Sequence, residues 1–241
     1  MSERPPAPFI VGVMRSDTTL LRLMLDVHPE LAIPPETHFV PELIKRVRKG
    51  ATDADSALGV ITSGTRWPDF HLDAEDLRER LRAREPLDAG TALRVFYEAY
   101  AERFGKPRWG DKTPGYGKRL VRIARALPEA RFVHVIRDGR DVALSRRKRA
   151  TNPASVEKHA KRWQARTKST RRRARKVDHY IEERYEELVL DPEPVLRRVC
   201  EFIELDYDPV MLRYYERAEE RLREIANPFP KMSAERRLEA H

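Results

Sequence analysis

Phe9 to Val13 form a short apolar run with β-branched residues, bounded by Pro8, which predicts a buried strand. Leu20, Leu21, Leu23, Met24 and Leu25 then recur at helical spacing, so the chain passes from strand to helix through Arg15, Ser16, Asp17, Thr18 and Thr19. A second apolar run, Arg131 to Ile136, predicts another buried strand, preceded by a helix (Leu120, Ile123, Ala124, Leu127) that stops at Pro128. Between the two strands the pattern predicts helices over 34–48, 73–84 and 88–104, a small-residue loop over 50–66 and a Gly/Pro loop over 105–117. From 139 to 225 helices alternate with one short strand near 179–185. Strands that are each followed by a helix predict an α/β fold with a central parallel sheet flanked by helices. The expected organisation is one domain over 9–241 behind a flexible, proline-rich lead at 1–8.

The first strand–helix turn carries the most chemistry. Such a turn aims several backbone N–H groups and the positive helix end at one spot, which suits a phosphate or sulfate. A nucleotide P-loop reads G-x-x-x-x-G-K-[ST], with the lysine on the outer phosphates and the hydroxyl on magnesium. Here Gly12 and Thr19 hold the first and last places, but Asp17 replaces the second glycine and Thr18 the lysine. Arg15 is the only cation of the loop. A cradle that uses a planar guanidinium fits a fixed phosphosulfate better than magnesium-bound ATP. The plainer reading is an ordinary turn capped by Ser16 or Thr18.

Four segments together resemble one family. V-G-x-x-R-S-D-T-T-L-L followed by H-P-E-L at 11–31, D-K-T-P-x-Y at 111–116, R-F-V-x-x-I-R-D-x-R-D-V-x-x-S at 131–145 and R-Y-E-E-L-V-x-D-P at 184–192 stand in the order found in sulfotransferases. These enzymes use 3′-phosphoadenosine 5′-phosphosulfate (PAPS) as donor and release adenosine 3′,5′-bisphosphate (PAP). The likeness is to the bacterial and carbohydrate type, with arginine in the loop, and it implies a P-loop-like sulfotransferase architecture. Asp17 departs from the family glycine. Three explanations compete: its side chain points outward or caps the helix, the cofactor is bound weakly, or the site is impaired. Aspartate tolerates left-handed backbone better than most residues, which favours the first.

By this resemblance Arg15, Ser16, Asp17, Thr18, Thr19 and Leu20 cradle the 5′-phosphosulfate, and Arg137 with Ser145 clamps the 3′-phosphate. Tyr185 matches the position beside the adenine. Glu36, just after the first helix, is the candidate base for the acceptor hydroxyl, with His38 as its rival. Lys112 either stabilises charge on the bridging oxygen of the leaving phosphate, alongside Arg15, or orients the acceptor. Thr113, Tyr116 and Trp109 are candidates for the acceptor wall, although D-K-T-P is also good turn chemistry and Trp109 suits packing equally. His28 reads as a cap or packing residue and His134 as core. The expected reaction is in-line sulfuryl transfer from PAPS to a hydroxyl (an amine being the lesser alternative) of a small molecule or carbohydrate, with no metal. Relatives carry a further basic, glycine-containing segment near the C-terminus, whereas this sequence ends ERRLEAH. Three explanations stand: Arg236 and Arg237 substitute, the sequence stops short of the natural end, or closure over the cofactor is incomplete.

Composition changes the picture only at the margins. The 241 residues suffice for a full α/β core, and the net charge of +9 favours anionic partners. The single cysteine, Cys200, excludes an internal disulfide, and the N-terminus offers no apolar stretch of signal-peptide length, so the cytoplasm is the expected compartment. No segment approaches a membrane-spanning length. The basic run 161–176, with nine cations, reads as a solvated helix face anchored by Trp163. Two other classes compete: a P-loop kinase or NTPase, which would need the missing lysine, and a nucleic-acid module using the basic run, which lacks interleaved aromatics. No nucleic-acid partner is expected, and the oligomeric state is left open.

Overall fold

The computed structural model describes residues 4–47, 53–149 and 155–225. Arg236 and Arg237 lie outside the described residues. Four parallel strands, β1 (Ala7–Gly12), β4 (Asp111–Lys112), β5 (Ala130–Ile136) and β6 (Tyr180–Arg184), form the central sheet in the order β4-β1-β5-β6. A separate parallel pair, β2 (Leu31–Ala32) and β3 (Arg108–Trp109), lies beside it. Register is set by Ile10 opposite Lys112 on one side and opposite Val133 on the other.

Period-two alternation sends the two faces of β1 into separate cores. Phe9 and Val11, with Phe132 of β5, pack against α2 (Val40–Val47), α3 (Ala54–Thr62), α4 (Ala74–Arg82), α5 (Ala89–Glu102) and α6 (Leu120–Ala126). Ile10, Val133 and Val135 face the other way, against α1 (Thr18–Asp26) and α10 (Pro192–Phe202). The remaining helices are α7 (Gly139–Arg149), α8 (Val156–Ala174), α9 (Tyr185–Leu190) and α11 (Tyr215–Arg223). Among the described residues no helix is long and apolar enough to cross a membrane.

The sheet flanked by helices is the expected fold, and four local expectations change. The stretch read as a loop over 50–66 contains α3, because alanine is the best helix former and Ala54, Ala57, Leu58 and Ile61 make a buried stripe. Asp53 caps it by accepting from the Ser56 N–H. The expected Gly/Pro loop over 105–117 supplies two short strands, and β4 becomes an edge of the main sheet. The lead at 1–8 is tied down from Pro6 onward: the Pro6 carbonyl accepts from Arg108 Nη2 at 2.8 Å, and Ala7 and Pro8 are already in β1. The helix expected from residue 34 starts only at Val40. The freed segment 33–39 becomes one wall of the candidate site.

Candidate active site

The site lies where β1, β4 and β5 end. At Gly12 a Cβ would stand 3.0 Å from both Thr18 Cγ2 and the Val135 carbonyl oxygen, so only glycine lets the chain leave β1 this close to α1 and β5. The loop then turns through Arg15 (φ 77°) and Asp17 (φ 50°) before α1 begins at Thr18. The first N–H groups of a helix have no intrahelical partner, and the Asp17 side chain makes no capping bond to them. That leaves the positive end of α1 facing the strand ends. Two N–H groups assigned to the cradle are used within the turn: Ser16 N–H donates to the Val13 carbonyl at 2.9 Å and Leu20 N–H to the Asp17 carbonyl at 3.0 Å.

Asp17 neither caps the helix nor points away. A side-chain cap needs extended φ and ψ; the left-handed backbone of Asp17 turns its carboxylate instead to Arg137 Nη1, at the end of β5. Arg137 lies over the Tyr185 ring at 4.5 Å. Burial and the Asp17 charge both push the Tyr185 hydroxyl to a higher pKa. Ser145, on the second turn of α7, accepts from Arg15 Nε at 3.0 Å. Arg15, Asp17, Arg137, Ser145 and Tyr185 are thus brought to one place, but Arg137 and Ser145 have exchanged partners relative to the expected joint clamp. The Ser16 hydroxyl and Arg137 Nε are buried here without a hydrogen-bond partner. Such orphaned donors beside an open helix end fit an anionic group.

The opposite wall is segment 33–39. Glu36 accepts from Lys112 Nζ at 2.8 Å through Oε1 and meets His38 Nε2 at 3.2 Å through Oε2. Burial alone would raise the Glu36 pKa, but the His38 hydrogen bond and the Lys112 charge outweigh it and hold the carboxyl at about 2. Burial works in the opposite sense on Lys112 and lowers its pKa, against the pull of Glu36. His38 sits at φ 50° with its side chain 54% exposed, on the solvent side of Glu36. The two side chains the sequence offered as rivals are partners.

Beneath this pair runs a buried network that sequence reading missed. Thr37 donates to Asp111 Oδ2 at 2.7 Å, Tyr97 donates to the same oxygen at 2.9 Å, and the Tyr116 hydroxyl is 2.8 Å from Thr37 Oγ1. Thr37 N–H donates to Thr113 Oγ1 at 3.1 Å. Burial raises Asp111 to about 6, although the bonds from Thr37 and Tyr97 oppose the rise. Thr113 and Tyr116, expected on the acceptor wall, are buried and fasten the segment that carries Glu36. Trp109 is likewise no wall: it stacks on Tyr97 at 4.5 Å inside the core. Asp111 had a signal, adjacent to Lys112 in D-K-T-P, whereas Tyr97 looked like any other apolar position of α5.

A cleft of about 1050 Å³ opens at Thr37 and His38, lined also by Phe39, Glu42, Arg46, Val60 and Arg66 among others. The other expected structural residues hold their roles. His28 accepts from Glu30 N–H at 3.1 Å, and its Nε2 is 3.0 Å from the Asp206 carbonyl. His134 is buried in β5, with Nδ1 2.6 Å from the Tyr180 hydroxyl. Trp163 of α8 packs over Gly139 at the start of α7.

A sequence model of the sulfotransferase family matches residues 6–209. The chain belongs to the sulfotransferase family. It is 27% identical over 219 residues to protein-tyrosine sulfotransferase 1 of Danio rerio, covering 88% of this chain and 56% of that protein. With protein-tyrosine sulfotransferase of Drosophila melanogaster it is 26% identical over 220 residues, covering 88% and 40%. The chain therefore spans about half the length of the curated relatives it matches. In fold it resembles the sulfotransferase domain from the curacin biosynthetic pathway, with a TM-score of 0.61, 24% identity and coverage of 89% of this chain and 79% of that one. The sulfotransferase domain of the Synechococcus PCC 7002 olefin synthase gives a TM-score of 0.59 at 26% identity, with the same coverage. Membership of this family counts against the kinase alternative.

Proposed function

We propose that this sulfotransferase moves the sulfuryl group of PAPS to the phenolic hydroxyl of a peptide tyrosine, with Glu36 as the base. The observation that carries the reading is the Glu36–Lys112 pair, 2.8 Å apart, with Lys112 on the strand that pairs with β1. The N-terminus of α1, Ser16 and Arg15 would hold the 5′-phosphosulfate, and Tyr185 would flank the base of the nucleotide. The bound donor supplies an electrophilic sulfur with a phosphate leaving group. Lys112 would neutralise charge that develops there. Glu36 takes the acceptor proton, and His38 orients the carboxylate from the solvent side.

The sequence pointed to a small-molecule or carbohydrate hydroxyl, and two arguments favour a phenol instead. The relatives are named for protein tyrosine. A carboxylate held at about 2 is a weak base, and proton transfer to it is far less uphill from a phenol, with a pKa near about 10, than from a sugar hydroxyl. The cleft lined by Thr37, next to Glu36 in the chain, and by its partner His38 has a volume of about 1050 Å³ and opens to the surface.

The test uses radiolabelled PAPS with a tyrosine peptide, its phenylalanine counterpart and a panel of sugars and alcohols. Label should appear on the tyrosine peptide only, and Glu36→Gln should keep PAP affinity while losing a factor on the order of 100 to 10,000 in kcat. Transfer to a sugar but not to tyrosine overturns the acceptor; an unchanged kcat removes Glu36.

A further inference from the structure

The donor pocket contains an anion of its own. Where the family has glycine, Asp17 lies at φ 50°, a conformation that suits glycine and that aspartate can hold. Its carboxylate is not used as a helix cap. It is turned onto Arg137 Nη1, 120 positions away in the chain, and Arg137 is the residue that the motif resemblance assigns to the 3′-phosphate. The Tyr185 ring, 4.5 Å beneath the guanidinium, limits its freedom to turn elsewhere.

The charge count around Arg137 follows. With glycine at position 17, the guanidinium presents a full positive charge to an incoming phosphate. With aspartate the pair is already neutral, and a phosphate dianion must displace the carboxylate or lie beside it. The second clamp residue is also engaged, since Ser145 Oγ accepts from Arg15 Nε. Arg137 Nε remains buried with no partner, so one carboxylate only partly fills a site shaped for a larger anion.

We propose that Asp17 is a donor-specificity residue whose carboxylate stands in for the 3′-phosphate on Arg137, so that this chain accepts an adenosine 5′-phosphosulfate lacking that phosphate nearly as well as PAPS. The proposal rests on the PAPS reading above and concerns only its 3′ end.

The probes are AMP and PAP, which differ only in the 3′-phosphate, titrated calorimetrically into wild type, Asp17→Gly and Asp17→Asn. Asparagine keeps the shape and the tolerance for left-handed backbone while removing the charge. The readout is the ratio of the two dissociation constants, which cancels any general effect on the loop. Wild type should prefer PAP by less than about threefold, and both variants should raise that preference at least about tenfold, as removal of one close like charge implies. A strong wild-type preference for PAP that neither variant changes overturns the proposal. So does equal tightening of both nucleotides, which would place the effect of Asp17 in the 5′ cradle. If neither nucleotide binds any of the three folded proteins, the donor reading itself fails, and this proposal with it.

Discussion

Replacing Asp111 with asparagine should flatten the pH dependence of stability between pH 5 and 7. Asp111 is fully buried; Oδ2 accepts from Thr37 and Tyr97, while Oδ1 is buried with no partner. Burial lifts its pKa from 3.8 to about 6. The folded state therefore binds this proton over a range in which the unfolded chain has lost it. Stability must rise as the pH falls through about 6 and level off below 3.8. Linkage over that gap gives a gain of about 1.3 kcal/mol between pH 7 and pH 5, and about 3 kcal/mol in all. Glu36 has the opposite sign, since its folded pKa of about 2 lies below the ordinary 4.5. Its contribution is complete above 4.5 and is lost as the pH falls toward 2, so the two do not overlap between pH 5 and 7. Urea titrations of wild type and Asp111→Asn at pH 5, 6 and 7 separate the residue from every other titrating group. With an m-value of about 2–3 kcal/mol/M, the wild-type midpoint should gain about 0.5 M more than the variant on going from pH 7 to pH 5. Asparagine retains an acceptor for Thr37 and Tyr97, so the variant should fold. Parallel slopes in the two proteins would refute the reasoning.

Thr37→Val removes the hydroxyl that joins Asp111 and Tyr116, and should cost about 1–3 kcal/mol; kcat should fall with PAP affinity unchanged, read by melting, turnover and calorimetry. Arg221→Met breaks the buried pair in which Arg221 Nη2 stands 3.0 Å from Asp26 Oδ1, and should cost about 3–5 kcal/mol because Asp26 is left charged in the core. Adding Asp26→Asn should recover part of that loss in thermal melts, and a single-variant cost below about 1 kcal/mol would refute the account.

The parts of the fold that were legible in the sequence are those whose signal is local. β1 and β5 are largely apolar runs, β5 broken only by Arg131 and His134, because helices cover both faces, and α5 shows its buried stripe without interruption. The strand-to-helix turn after β1 follows from the same local reading. What escaped depends on contacts distant in sequence. β4 is two polar residues that count as a strand only because β1 pairs with them. α3 was hidden by small residues that read equally as loop. At the site, the residue types of Arg15, Glu36, Lys112 and Arg137 were visible, but their pairing was not: Asp17 meets Arg137 across 120 positions and Thr37 meets Asp111 across 74. Thr113 and Tyr116 were candidates for the acceptor wall and Trp109 suited wall and packing equally; burial was the missing information.

The brevity of β4 explains how one sheet edge serves both walls of the site. Asp111 pairs with Phe9 and Lys112 with Ile10, so successive side chains must leave opposite faces of the sheet. Asp111 enters the face of Phe9 and Tyr97, where it anchors Thr37. Lys112 enters the face of Ile10 and α1, where it reaches Glu36 beside the loop that ends β1. A single peptide unit therefore fixes the base-bearing segment through one residue and sets its cation through the next. Moving either by one register position would exchange the two, placing a cation in the aromatic core and a carboxylate beside the anion cradle. The spacing the site requires is thus the alternation of a strand, even where only two residues of strand remain.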